Sequence, residues 1–131
     1  MPKIADIACR LLAALVGAQA ISGAMQHWFA LAGREAQRGF AAADAFGRAN
    51  LRADVGGIFL VIGLFALIAA WRRSPTWMAA AVLAIACATS GRLVSGAIDG
   101  FGPREIRAIV SELAGIALLL PGWWRWSRKV P

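Results

Sequence analysis

Arg92 and Glu112 are the two residues of this chain whose placement most invites a chemical reading. Both interrupt long apolar runs, and both lie ten residues from position 102, at the centre of Gly100-Phe101-Gly102-Pro103. If that segment is a turn between two antiparallel helices, residues equally far from it share one depth. A rise of about 1.5 Å per residue puts each roughly 15 Å from the turn. That is deep in a hydrocarbon layer of about 30 Å. A charge there costs about 2.5 kcal/mol or more. A guanidinium and a carboxylate offset much of that cost by pairing through parallel N–H···O bonds. The spacing therefore predicts a buried Arg92–Glu112 ion pair.

Other polar residues cluster toward the same depth. Thr89, Arg92, Gly96 and Asp99 follow three-to-four spacing and share one helix face, as do Glu105, Ala108, Glu112 and Gly115. Small residues among them let the two backbones approach. Gln19, Ser22 and Gln26 repeat the spacing further upstream, with His27 beside them, and Asn50, Arg52 and Asp54 precede another apolar run. Arg92, Glu112, Asp99, Arg52, Asn50, Gln26 and Gln19 are the candidate ligand-binding residues. They would line a polar pocket for a small anionic or amphipathic ligand, a lipid or a quinone. The competing reading is structural: polar side chains within a membrane often only join helices. For Gln19, Ser22 and Gln26 helix packing is the simpler reading, and for His27 it is anchoring at the interface.

Four apolar stretches must position these residues, at about 11–32, 51–71, 76–98 and 104–124. Each approaches the roughly 20 residues that span a bilayer. Of 131 residues, 60% are hydrophobic and 16% charged, well below the quarter usual in soluble domains. The expected fold is all-α: one transmembrane domain, an integral membrane four-helix bundle with antiparallel up-down topology. Residues 72–75 form one tight turn. Residues 33–54 are a longer linker in which Phe40, Ala43 and Gly47 hint at a short interfacial helix between the first two spans. A second reading of the N-terminus makes Leu11 to Ala18 the apolar core of a signal peptide cleaved after Ala20. The apolar run continues past Ala20, which favours an uncleaved span.

Orientation follows from cation placement. Lys3, Arg10, Arg72, Arg73, Arg125, Arg128 and Lys129 fall on one side; Arg34, Arg38, Arg48 and Arg104 lie in connections on the other, with Arg52, Arg92 and Arg107 at or inside helix ends. Both termini are expected in the cytoplasm, in a bacterial inner membrane. Trp71, Trp77, Trp123, Trp124 and Trp126 would form an aromatic belt on that side, with Trp28 near the other interface. Of the acids only Asp6 falls on the cytoplasmic side; Glu35, Asp44, Asp54, Asp99, Glu105 and Glu112 fall on the other half.

The net charge of +7 reads as topology and attraction to anionic headgroups. Nucleic-acid binding would need a soluble basic patch with stacking aromatics. Cys9 and Cys87 stand far apart without metal-ligand spacing and read as small buried hydrophobes. One histidine leaves haem ligation without a partner, and no zinc, P-loop or nucleophile-elbow spacing occurs. No metal or cofactor is expected, and a non-enzymatic role is favoured. Two further classes stay open: an accessory or assembly subunit that pairs with a membrane partner or with itself, and a membrane oxidoreductase or proton-conducting component using Glu112.

Three short segments carry a family resemblance. They are Asn50-Leu51-Arg52-Ala53-Asp54-Val55-Gly56-Gly57, Ser90-Gly91-Arg92 followed by Asp99-Gly100, and Ser111-Glu112-Leu113. The pattern, over about residues 11 to 120, resembles the small bacterial four-helix membrane proteins catalogued as domain of unknown function 4345. The resemblance implies a four-helix membrane bundle and no established activity.

Overall fold

The computed structural model describes residues 2–33 and 42–128. Helix α1 is Pro2–Phe29, α2 is Ala45–Asn50, α3 is Gly57–Arg72, α4 is Pro75–Asp99 and α5 is Pro103–Ser127. One π-helical segment, Leu51–Gly56, joins α2 to α3. Among the described residues, four helical stretches are long and apolar enough to cross a membrane, the second being the continuous run Ala45–Arg72. The four form an antiparallel ring in which α1 and α4 each pack against both α3 and α5.

The linker helix differs from expectation. A helix does form at Ala45–Asn50, but it runs through the π turn into the second span instead of lying apart from it. Asp44 starts it, its Oδ1 accepting the Gly47 N–H at 2.7 Å. Phe40, which suggested the helix, and Arg34, Glu35 and Arg38 lie outside the described residues.

The two tight turns are explained by local chemistry. At the end of α3, Arg73 takes a left-handed conformation (φ 52°). Its N–H and that of Ser74 both donate to the Ala69 carbonyl, which satisfies a carbonyl the helix end would orphan. Ser74 then caps α4, with Pro75 in its first turn. At the other turn Gly100 (φ 91°) ends α4, and Pro103 opens α5.

Small residues bring α1 against α3. A methyl group on Gly63 would lie 2.9 Å from the Gly17 carbonyl oxygen and 2.6 Å from Ile21 Cγ1. Those two backbones are therefore in close contact, the packing membrane helices use when no water drives them together. Ala13, Ala66, Ala69, Ala81, Met78, Leu119 and Trp126 complete a core concentrated toward the end that carries both termini. This is the terminal end. The opposite end, holding Gly100–Gly102, is the loop end.

Candidate functional site

At the loop end the ring opens. The α1–α3 pair and the α4–α5 hairpin each stay packed internally. His27, wholly buried on α1, stacks on Phe59 with ring centroids 5.4 Å apart. Its Nδ1 lies 2.7 Å from the Gly23 carbonyl oxygen, which makes Nδ1 the donor. Trp28 and Arg52 clasp each other: Trp28 Nε1 donates to the Arg52 carbonyl at 3.0 Å, and Arg52 Nε to the Trp28 carbonyl at 3.1 Å. Gly56 lets that clasp close, because a methyl there would lie 2.5 Å from Trp28 Nε1.

Between the two pairs runs a groove of about 1060 Å³ that touches all four spans. Its apolar floor includes Val16, Phe59, Ile62, Ile85 and Leu118, and its polar wall is drawn chiefly from α4 and α5. Arg92 Nε donates to Glu112 Oε1 at 2.8 Å. Thr89 Oγ1 lies 3.0 Å from Glu112 Oε2 and 3.0 Å from the Ile85 carbonyl oxygen. Its single proton serves one acceptor at a time, and an ionised carboxylate is the stronger. Glu112 is thus held at both oxygens, which fixes where Arg92 presents its charge. Arg92 keeps a third of its side-chain surface open (32%), against 17% for Glu112. At about 1.5 Å per residue, Glu112 lies only some 4–5 Å from the midpoint of α5.

Of the seven candidate ligand-binding residues, the groove gathers Arg92, Glu112 and Gln19. It leaves out four. Arg52 is committed to the Trp28 carbonyl. Asn50 is exposed in α2. Gln26 donates to Ser22 Oγ one turn back at 3.1 Å. Asp99 is exposed at the end of α4 and accepts from Ser95 Oγ at 3.4 Å. Arg104, Arg107, Glu105 and Ser111 line the groove instead. The three-to-four spacing of α5 had already placed Glu105 and Ala108 on the face of Glu112; Ser111 lies beside that face. Arg104 and Arg107 were legible only as loop and helix-end charges.

Three further residues depart from expectation. His27 is wholly buried between α1 and α3, where an anchoring side chain would be exposed. Trp126 is 1% exposed and serves the core, while Trp71, Trp123 and Trp124 are exposed as a belt requires. Cys9 is buried, but Cys87 faces outward.

Sequence reasoning also passed over Asp6. This carboxylate is 6% exposed. It accepts the Trp126 indole N–H at 2.9 Å and lies 3.2 Å from Arg73 Nε and 3.8 Å from Arg125 Nε. One side chain of α1 thereby joins the α3–α4 turn and the last turn of α5. Its only signal in the sequence was its isolation as the lone acid among seven cations.

No family model, no curated protein and no solved structure matches the chain. Among the described residues, no group of three or more His, Cys, Asp or Glu could hold a metal ion. The chemistry of the site therefore rests on its own geometry: an apolar cleft within the span, one oriented guanidinium, and neutral or charged donors above it.

Proposed function

We propose that this is a non-enzymatic, multi-pass protein of the bacterial inner membrane that binds an amphipathic molecule, a lipid or a quinone, in the groove at its loop end. In this reading both termini are cytoplasmic and the groove opens toward the outer leaflet. The observation that carries the proposal is the Arg92–Glu112–Thr89 arrangement on the wall of an otherwise apolar cleft. Arg92 is held by Glu112 but stays partly open, so a phosphate, carboxylate or carbonyl oxygen entering the groove meets a positioned donor. Arg104 and Arg107 at the mouth add positive charge for the head of such a molecule, and Phe59, Ile62 and Ile85 suit its apolar body. Membership of the family catalogued as domain of unknown function 4345 is part of the same proposal, resting on the motifs around Asn50, Arg92 and Glu112.

Native mass spectrometry of the gently extracted protein, with chemical identification of what dissociates, tests the reading. The expected result is one stoichiometric amphipathic molecule. It should be lost in Arg92→Gln and also in Ala88→Phe, which fills the groove while leaving the ion pair in place. An empty wild-type protein, or a ligand retained by Ala88→Phe, overturns it. Co-extraction of other subunits in place of a small molecule would assign an assembly role.

A further inference from the structure

A second, smaller recess lies at the opposite end of the molecule, on the outer surface between α1 and α3. It has a volume of about 530 Å³ and is lined by Ile7, Leu11, Ala14, Leu67, Ala70 and Trp71, with Arg10 as its one charged residue. Ala14 and Ala70 make it a recess, since larger side chains there would fill it. Arg10 is not extended into water. Its Nε donates to the Ala70 carbonyl at 3.0 Å, one of the last carbonyls of α3, where a cation also meets the negative end of the helix dipole. Leu11 and Ile7 are well exposed along the recess, and Trp71 is 82% exposed at its rim.

The charge around this recess is one-sided. Among the described residues, Lys3, Arg10, Arg72, Arg73, Arg125 and Arg128 belong to this end, and Asp6 is its single acid. Asp6 is buried and already faces Arg73 and Arg125, so it does not offset Arg10. An occupant must therefore combine an apolar chain with a negative head at the membrane surface. We propose that the recess is a binding site for one anionic phospholipid. Its acyl chain lies along Ile7, Leu11, Ala14 and Leu67, and its phosphate sits within reach of the Arg10 guanidinium. Trp71 flanks the chain at the headgroup level, where indole rings settle. This site shares no residue with the loop-end groove, and its ligand is read from different side chains.

Trp71 provides the reporter. The full chain is reconstituted in phosphatidylcholine vesicles containing a low fraction of either brominated-chain phosphatidylglycerol or brominated-chain phosphatidylcholine. Tryptophan quenching is read against Trp71→Phe, and the difference isolates Trp71. The expected result is a relative binding constant about fivefold higher for the phosphatidylglycerol, the preference one cation confers near a bilayer surface. It should shrink as salt is raised. Arg10→Gln should bring the ratio to one, and Arg10→Lys, which keeps the charge, should retain most of it. Equal quenching by the two lipids in the wild-type protein overturns the proposal, whatever the variants do. So does a preference that persists unchanged in Arg10→Gln, which would assign it to the general positive charge of this end.

Discussion

The two ends of this bundle solve the same problem in opposite ways. Each holds an arginine–carboxylate contact, yet one is closed and the other open. At the terminal end Asp6 is 6% exposed and is surrounded by Arg73 from the α3–α4 turn and by Arg125 and Trp126 from the last turn of α5. At the loop end Glu112 meets Arg92 and Thr89, both from the neighbouring helix of one hairpin, and the groove runs alongside. Long-range ties close the first end, whereas local ties leave the second free to separate. A carboxylate that joins elements far apart in sequence fixes the assembly. One that joins two adjacent helices fixes only their hairpin and leaves its partner's charge available.

The largest effect should come from the closed end. Trp126→Ala removes a wholly buried ring and the N–H donated to Asp6. We expect a loss of about 4 kcal/mol, in the range for large buried aromatics, with unfolding followed in mild detergent. Trp126→Phe keeps most of the packing and removes the donor, so it should cost only about 1 kcal/mol. Equal losses in the two variants would mean that the hydrogen bond, not the packing, closes this end.

At the open end Glu112→Ala leaves Arg92 within the span without its carboxylate. The expected loss is about 3 kcal/mol. Replacing both residues by leucine should recover much of that, because the cost lies in the unmatched charge. A double variant no more stable than either single one would break the comparison, since Glu112 would then be holding the hairpin through Thr89 or by packing alone.

What could be read from the sequence follows the range of the interactions. The four spans were legible because bilayer thickness demands long apolar runs, and the two tight turns because Gly100, Gly102, Pro103, Ser74 and Pro75 carry local stop and start chemistry. Arg92 and Glu112 could be matched because a short turn sets the register of one hairpin. Nothing comparable sets the register between α1 and α5, which are separated by two spans. The Asp6–Trp126 contact, 120 residues apart, and the burial of His27 against Phe59 therefore had no sequence signature. For the same reason Arg52, Asn50, Gln26 and Asp99, grouped by type and depth, proved to face different surroundings. Depth alone does not say which way a helix is turned.

Two glycines on α5 sharpen the contrast between the ends. A methyl on Gly122 would lie 2.9 Å from Met78 Cε and 3.6 Å from Cys9 Cβ, whereas one on Gly115 meets only Ile85 Cδ1, at 3.7 Å. Gly122→Ala should cost about 1 kcal/mol, softened by the flexibility of the methionine. Gly115→Ala should be neutral, or stabilising by about 0.5 kcal/mol, because alanine loses less backbone entropy than glycine on folding. Thermal melts of the pair decide whether the closed end is packed more tightly. A cost for Gly115→Ala matching that of Gly122→Ala would show that the groove closes in the folded protein.

The smallest effect is expected at Arg73, where two contributions oppose each other. Its left-handed backbone (φ 52°) costs a non-glycine residue about 1–2 kcal/mol. Its guanidinium, 3.2 Å from the Asp6 carboxylate, is 55% exposed, and an ion pair so open to water returns about 1 kcal/mol at most. Arg73→Gly relieves the backbone and loses the pair, so its net effect should lie near zero. Arg73→Ala loses the pair and keeps the strain, and should cost about 1 kcal/mol. The difference between the two variants measures the backbone term directly. If Arg73→Gly is as damaging as Arg73→Ala, the left-handed backbone costs little here, and if both lose well over about 1 kcal/mol the side chain at this turn is worth more than its exposure suggests. Asp6 would then depend on Arg73 as much as on Trp126, and the closed end would be held electrostatically like the open one.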